Sequence, residues 1–537
     1  VTGTPKKEKS LLGKASSMSG AVFLSRILGL VREQVFAYFF GAGMVTDAFL
    51  VAFRIPNLLR DLFAEGALSA AFVTVFSREQ DRERSQMMAR NVLLAQSLIV
   101  AVCCLLIFLF SEQLVSWIAP DFARIEGKLE LTTTLTRYLS PFLLFVASAA
   151  LSMGILNSLG YFFVPALGSA AFNLGSILVG GGAAWVFRDQ GLISMISGFT
   201  VGSLCGGALQ WLVQWPLLVK EGYSPVKNIS RLFSGDGVAK AFQDPALRKI
   251  ALLMAPAVLS VAAVQINVFI NTVIASELAQ GSVTWLNFSY RLLHFPLGVF
   301  GVALSVAALP SFARLWAAGD VAKFHSTLRQ SLRFTWILAI GSAAGLVAFR
   351  EPLIAMIFEH GRFTRADTLE TAAALAAYAL ALPALNSTKI FVQVFYALDK
   401  VWIPSIVAII LVIAHYFLAR FLGEQWGHTG LALAIAATST LNALVLALIL
   451  QIKKFRLVDM ESLKVLVGAV GGALVILLVD LTGLTRVLMN LQEASFVFFA
   501  FLTLFLILTL GAVFLLCASL PSKELRSVVA KAIRRIK

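Results

Sequence analysis

Charge is scarce in this chain. Only 14% of its 537 residues are Asp, Glu, Lys or Arg, against about 25% in an average soluble domain. Hydrophobic residues make up 59% and the mean hydropathy is +0.85, which excludes an ordinary water-soluble fold. Cysteine is rare too. The four present, Cys103, Cys104, Cys205 and Cys517, all lie in apolar blocks. They show no metal-ligand spacing, and adjacent Cys103 and Cys104 read as packing residues, so neither a disulfide scaffold nor a zinc site is expected. Three of the five histidines, His294, His360 and His415, also lack metal spacing. There is no Walker motif. Gly41-Ala-Gly43 lacks the strand, helix and acid that a nucleotide fingerprint needs, so ATP hydrolysis is not expected. Gly180-Gly-Gly182 reads as helix packing or a loop. Short alternating segments of the barrel type are missing as well. No metal and no cofactor is expected, and the coupling ion is left open.

What remains is apolar sequence in long runs. We read 14 blocks of roughly 20 residues, the length of a spanning helix. They are centred near residues 28, 62, 101, 147, 174, 205, 262, 300, 340, 383, 411, 440, 473 and 508. The first is too long, and too rich in arginine, for a cleavable signal. The net charge of +15 is spread through short loops, where it sets orientation instead of forming a nucleic-acid surface. With the N-terminus inside, inner segments hold about 28 Lys and Arg and outer ones about 8. Both termini are therefore expected in the cytoplasm. The tail from Lys523 to Lys537 reads as a basic amphipathic segment on the anionic inner leaflet.

The chain also repeats itself. Gly66–Arg78 lies over Val302–Arg314 with six of thirteen positions identical, and the segment from Asn157 to Pro165 echoes that from Tyr396 to Pro404 at nearly the same offset. An offset of six spans leaves both copies in one orientation. The expected fold class is an all-α polytopic membrane protein of 14 transmembrane helices, with two six-helix lobes related by a pseudo-twofold along the membrane normal and two extra C-terminal helices. The expected boundaries are 1–16 for a cytoplasmic tail beginning with an expression remnant, 17–220 for the first lobe and 221–247 for a cytoplasmic linker. The second lobe takes 248–451, the two added spans 452–520, and a basic tail 521–537.

Against this apolar background, charges inside the spans stand out. Arg26, Arg32, Arg54, Arg60, Arg291 and Lys389 all fall within apolar blocks, where each cation costs about 2.5–3.5 kcal/mol to insert. Residues that repeatedly bear such a cost line wet cavities, and a basic cavity suits an anionic passenger. In the first span, Arg26 and Glu33 share a face, with Arg32 about 120° round. In the second, Asp47, Arg54, Asp61 and Glu65 follow one helical line, and Pro56 frees the carbonyl of Ala52. The plainer reading is a structural network, since residues 26 to 65 hold four arginines and four acids. Arg291 and Lys389 have no acid nearby in their own spans, which favours a cavity lining. Gln265, Asn267, Asn271, Asn386 and Gln393 could bond sugar hydroxyls or serve as interhelical glue.

Ser25-Arg-Ile-Leu-Gly-Leu-Val-Arg32, Gly41-Ala-Gly-Met-Val-Thr-Asp-Ala-Phe49, Phe53-Arg-Ile-Pro-Asn-Leu-Leu-Arg60 and Phe63-Ala-Glu-Gly-Ala-Leu-Ser69 closely resemble the MurJ (MviN) family of bacterial lipid II flippases. The likeness continues through Arg291–Leu304 and Phe358–Thr364 and covers essentially the whole chain. It implies the multidrug/oligosaccharidyl-lipid/polysaccharide exporter fold, a bacterial inner-membrane location and a transporter in place of an enzyme. It also implies a polyprenyl-tail groove on the last two spans. On matching positions, Arg26, Arg32, Arg60 and Arg291 are the implied diphosphate-binding cavity residues. Asp47, Arg54, Glu65 and Lys389 are implied in the cavity or gating, with Ala37 and Thr284 near the gate. Where the family often places acids beside the cavity arginine, this chain has Tyr290 and His294, which puts a gating ion pair there in doubt. Residues 250 to 276 contain no acid, so a sodium site is not carried over.

The implied partners are lipid II (undecaprenyl-diphosphate-linked sugar-pentapeptide), membrane phospholipids and, on pathway grounds, a peptidoglycan glycosyltransferase. Nucleic acid is not among them, and a monomer is expected. The implied mechanism is alternating access. A diphosphate with about two negative charges gains roughly 4–5 kcal/mol per 100 mV on leaving a negative interior. The alternatives are a flippase for another polyprenyl-diphosphate-linked oligosaccharide and a non-transporting scaffold.

Overall fold

The computed structural model describes residues 11–63, 67–79, 81–223 and 235–519. Every regular element among them is helical. That follows from the solvent the sequence calls for: in hydrocarbon, backbone amides and carbonyls must be satisfied within the segment. Eight helices among the described residues are long and apolar enough to cross a membrane, or nine if one pair bent by 41° is a single span. The chain divides into two compact units, Val1–Gln265 and Ile266–Lys537.

The first unit begins with α1 (Leu11–Phe40) and α2 (Met44–Phe63). Gly41, at φ 61°, makes the tight turn between them, and the Thr46 hydroxyl donates to its carbonyl at 2.9 Å. The unit continues through α3 (Ala67–Phe76), α4 (Arg82–Leu109), α5 (Ser111–Ile118), α6 (Lys128–Leu139) and α7 (Phe142–Ser158). After these come α8 (Phe163–Gly175), α9 (Gly182–Val186), α10 (Leu192–Leu212), α11 (Trp215–Lys220) and α12 (Gly235–Gln243). A π-helical turn at Ser176–Gly181 joins α8 to α9. Glycine on α10 lets it approach this turn closely: a Cβ at Gly202 would lie 2.2 Å from the Gly180 Cα. The glycine run is thus a packing seam.

Phe72, Phe76, Met88, Val92, Leu151, Ile155 and Leu218 form one core of this unit together with Ile250, from the start of α13 (Pro245–Ser276). α12 packs on α4, and Asp244 accepts from Arg84 at 3.0 Å and from Asn91 at 2.9 Å. The end of the segment read as an inter-lobe linker is therefore folded onto the first unit. The unit division falls inside α13.

The second unit carries the rest of α13, then α14 (Ser282–Pro296), a π-helical stretch at Leu297–Val302, α15 (Ala303–Ala317) and α16 (Val321–Ala348). α17 (Arg350–Phe358), α18 (Arg365–Ala379) and α19 (Leu382–Ala397) follow, the last two being the bent pair. α20 (Trp402–Ile452) runs 51 residues but breaks at Trp426 and at Gly427, where φ is 57°. His415 meets Thr438 across the break, so α20 is an antiparallel hairpin with two spanning limbs. The chain then forms α21 (Met460–Leu481), α22 (Leu484–Ala494) and α23 (Phe496–Ser519).

The two echoes in the sequence fall at like places. The first covers α3 and α15, and the second covers the turns after α7 and α19. α21 and α23, outside the repeat, bury Val465, Ala469, Phe499 and Phe514 against α16 and α17. Ion pairs reinforce that seam: Arg333 to Asp459 at 2.7 Å and Arg350 to Asp480 at 2.8 Å.

Candidate functional site

In the first unit the charged residues stand on α1 and α2. Arg26 is exposed, whereas Arg32 donates to Glu33 at 2.6 Å and lies 4.9 Å from the centre of the Phe172 ring. Gly29, on the turn between the arginines, packs against Asn173, whose amide donates to the Ser25 carbonyl at 3.1 Å. That contact fixes the arginine-bearing stretch of α1 to α8. Ala37 is fully buried, on the stretch of α1 where Phe36 and Phe40 meet Phe199.

Asp47 is also buried, and it pairs with Lys128 at the start of α6, at 3.1 Å. Both side chains are only 2% exposed, and the Lys128 ammonium sits 4.0 Å above the Phe122 ring. Sequence reasoning did not single out Lys128. The available signal was a lysine one residue after a glycine, opening an apolar block, with an acid elsewhere in need of a counter-ion. Arg54 and Arg60 are half-buried on α2, and both are engaged with neighbours. Glu65 lies outside the described residues.

The second unit gathers its cations on α14 and α19. Arg291 is exposed and donates through Nε to Asn287 at 3.0 Å, one turn earlier. Lys389 is half-buried on α19. His294 lies within electrostatic reach of both, which brings two cations and an imidazole together from two helices. The ring of Tyr290 meets His294 edge-on at 4.4 Å and Tyr378 at 5.4 Å. The residues that replace the acids expected by family likeness therefore form an aromatic–imidazole stack beside Arg291. The π-helical stretch lets α19 come close: a Cβ on Gly301 would lie 1.8 Å from Asn386 Oδ1 and 3.3 Å from the Lys389 stem. Asn386 Oδ1 and Gln393 Oε1 are buried with no hydrogen-bond partner among the described residues. Thr284 is fully buried on α14. Asn271, read as either a sugar-bonding group or interhelical glue, bonds His415 at 3.0 Å.

A chain of many apolar helices that also carries guanidinium and ammonium groups on helices beside buried amides has the build of a multi-pass membrane transporter. The comparisons narrow this to a family. Residues 36–510 match the family model described as lipid II flippase MurJ, and the chain belongs to that family. The lipid II flippase MurJ of Burkholderia cenocepacia is 34% identical over 466 residues, covering 86% of this chain and 87% of that protein. A probable lipid II flippase MurJ of Vibrio cholerae is 32% identical over 450 residues, covering 82% of each. A solved lipid II flippase MurJ in an inward closed conformation superposes with a TM-score of 0.75 at 27% identity, covering 95% of this chain and 99% of that one. An inward-facing multidrug resistance transporter of the MATE family shares the fold, with a TM-score of 0.66 at 15% identity over 82% of this chain. The protein is thus a multi-pass transporter of the bacterial inner membrane.

Proposed function

We propose that this chain carries lipid II from the inner to the outer leaflet by alternating access, with the membrane potential giving direction. Family membership across residues 36–510 is the observation that carries the reading. The positions of the cations support it. Arg26, Arg32, Arg54 and Arg60 stand on the first two helices, and Arg291 and Lys389 stand on α14 and α19.

Guanidinium groups suit a diphosphate because their fork of N–H donors matches paired phosphate oxygens, and the charge strengthens each bond. Arg26, Arg32, Arg60 and Arg291 would bind the diphosphate; Asp47, Arg54, Glu65 and Lys389 would tune cavity charge or gating, with Ala37 and Thr284 near the gate. The C55 tail would stay in lipid along α21 and α23. In this reading the protein works as a monomer with both termini in the cytoplasm, delivering substrate to a peptidoglycan glycosyltransferase outside. The lobes, linker, added spans and tail keep the boundaries set out from the sequence.

The test is complementation of a flippase-depleted bacterium by the wild type and by Arg26→Ala, Arg60→Ala and Arg291→Ala, with membrane levels measured for each. Rescue by the wild type and failure of the variants at equal level is expected. Full rescue by all three variants would refute the role of the cations. The potential-driven part is checked separately: flux that continues unchanged in depolarised cells removes it.

A further inference from the structure

The arginine-bearing stretch of α1 is backed by two neighbouring residues of α8. Phe172 turns its ring face to Arg32, with 4.9 Å between the guanidinium carbon and the ring centre. Asn173 donates to the Ser25 carbonyl at 3.1 Å, at the residue just before Arg26. Gly29 lies midway between the two arginines and leaves room for that amide, since a Cβ there would meet Asn173 Nδ2 at 3.5 Å. Both α8 side chains are buried.

This backing is itself held from behind. The Phe172 ring packs against the Phe142 ring of α7 at 5.7 Å. Its carbonyl accepts from the Ser176 hydroxyl at 2.9 Å. On α10, a Cβ at Gly206 would lie 2.5 Å from that same carbonyl oxygen, so α8 and α10 meet along their backbones here. A ring confined on these sides offers one fixed surface to its guest.

The two partners of Arg32 act on it differently. Glu33 accepts one bond, from Nη2 at 2.6 Å. The Nε and Nη1 groups donate to no other side chain among the described residues, and the Arg32 side chain keeps 12% of its surface open. An aromatic ring attracts a guanidinium through its face and uses none of the five N–H donors.

We propose that Phe172 and Asn173 are positioning residues for transport, holding Arg32 and its stretch of α1 so that the free guanidinium donors meet an anionic ligand. A phosphate competes with Glu33 for those donors but does not compete with Phe172. The ring therefore keeps its hold while carboxylate and ligand exchange on Arg32. Asn173 fixes the backbone end of the same lever, so that Arg26 and Arg32 stay in register on α1.

Two measurements test this. The second rests on the reading of Arg32 as a diphosphate-binding residue, and the first does not. In the first, full-length protein with 15N-labelled arginine is placed in phospholipid nanodiscs without ligand. The Arg32 Nε–H signal is identified by its absence from Arg32→Gln. Phe172→Leu should move that signal by removing the ring current, and Phe172→Tyr, which keeps the ring, should leave it near its wild-type place. Asn173→Ala tests the hold from the other side and should move it with the ring still present. A signal unmoved by both Phe172→Leu and Asn173→Ala overturns the positioning.

In the second, the same proteins are titrated with farnesyl diphosphate. Phe172→Leu should weaken binding about 3–10-fold, and Phe172→Tyr should restore it. The loss should vanish when Arg32→Gln is already present, because a residue acting through Arg32 has nothing left to position. For Asn173→Ala the loss should vanish when Arg26 and Arg32 are both glutamine. Wild-type binding by Phe172→Leu, or an equal loss with and without Arg32, overturns the proposal and leaves Phe172 a packing residue. Arg32→Gln binding the probe as tightly as wild type would instead count against the diphosphate reading of Arg32, and the arginine signal would still decide whether α8 holds it.

Discussion

Replacing Lys128 with methionine probes a fully buried ion pair in the first unit. The Lys128 and Asp47 side chains are each 2% exposed and lie 3.1 Å apart, so water cannot take over from the missing ammonium. Removing one partner of a buried pair costs about 3–5 kcal/mol. The contact with the Phe122 ring, at 4.0 Å, adds about 0.5–2 kcal/mol to what is lost. Methionine keeps most of the lysine stem, so cavity formation contributes little. Denaturant unfolding of the full-length protein in detergent, followed by circular dichroism, should show Lys128→Met destabilised by at least about 3 kcal/mol. The informative variant is the double one. Asp47→Asn with Lys128→Met removes both charges and should be markedly less destabilised than the two single costs summed, by about 2 kcal/mol or more. Simple addition of the two costs, or a Lys128→Met protein within about 1 kcal/mol of wild type, would refute the claim that this pair is desolvated and coupled.

Gly202→Ala places a methyl group 2.2 Å from backbone atoms of Gly180, and overpacking of this kind costs about 1–3 kcal/mol or more; a melting temperature equal to wild type would contradict the close helix approach. Gly301→Ala meets Asn386 Oδ1 at 1.8 Å, so it should displace α19 and lower transport at unchanged membrane level, as measured by complementation. At the loop before α21, burial works against ionisation of Asp459, but bonds from Ser462 and Arg333 outweigh it and hold the carboxyl down at about 2, against an ordinary 3.8. A carboxyl depressed by folding stabilises the protein above its unfolded value and loses that contribution as pH falls from about 4 towards 2. Asp459→Asn should therefore flatten the stability profile across that acid window, and an unchanged profile would show that Arg333 and Ser462 do not act through the ionised form.

The helices and most of the cations were legible in the sequence because both signals are local. Apolar blocks of spanning length need no partner to be recognised, and Arg26, Arg32, Arg54, Arg60, Arg291 and Lys389 stand out against their own blocks. What remained hidden was pairing. Asp47 meets a lysine 81 residues away, and Asn271 meets His415 144 residues away. Helical spacing ranks neighbours on one face of one helix and says nothing about which face of another helix arrives there. The acids and arginines between residues 26 and 65 looked nearly balanced, so no outside counter-ion was sought for Asp47. The structure pairs Arg32 with Glu33 locally and joins Asp47 to α6. His415 shows the same limit in sharper form. As a lone histidine among apolar residues it reads as an interface residue, which is where it lies. Its partners, Asn271 on α13 and Thr438 on the second limb of α20, appear only once the helices are packed. The cost of placing polar groups in a membrane points to the residues that matter, and the hydrogen-bond inventory around each then decides whether a group binds charge, balances charge or joins helices.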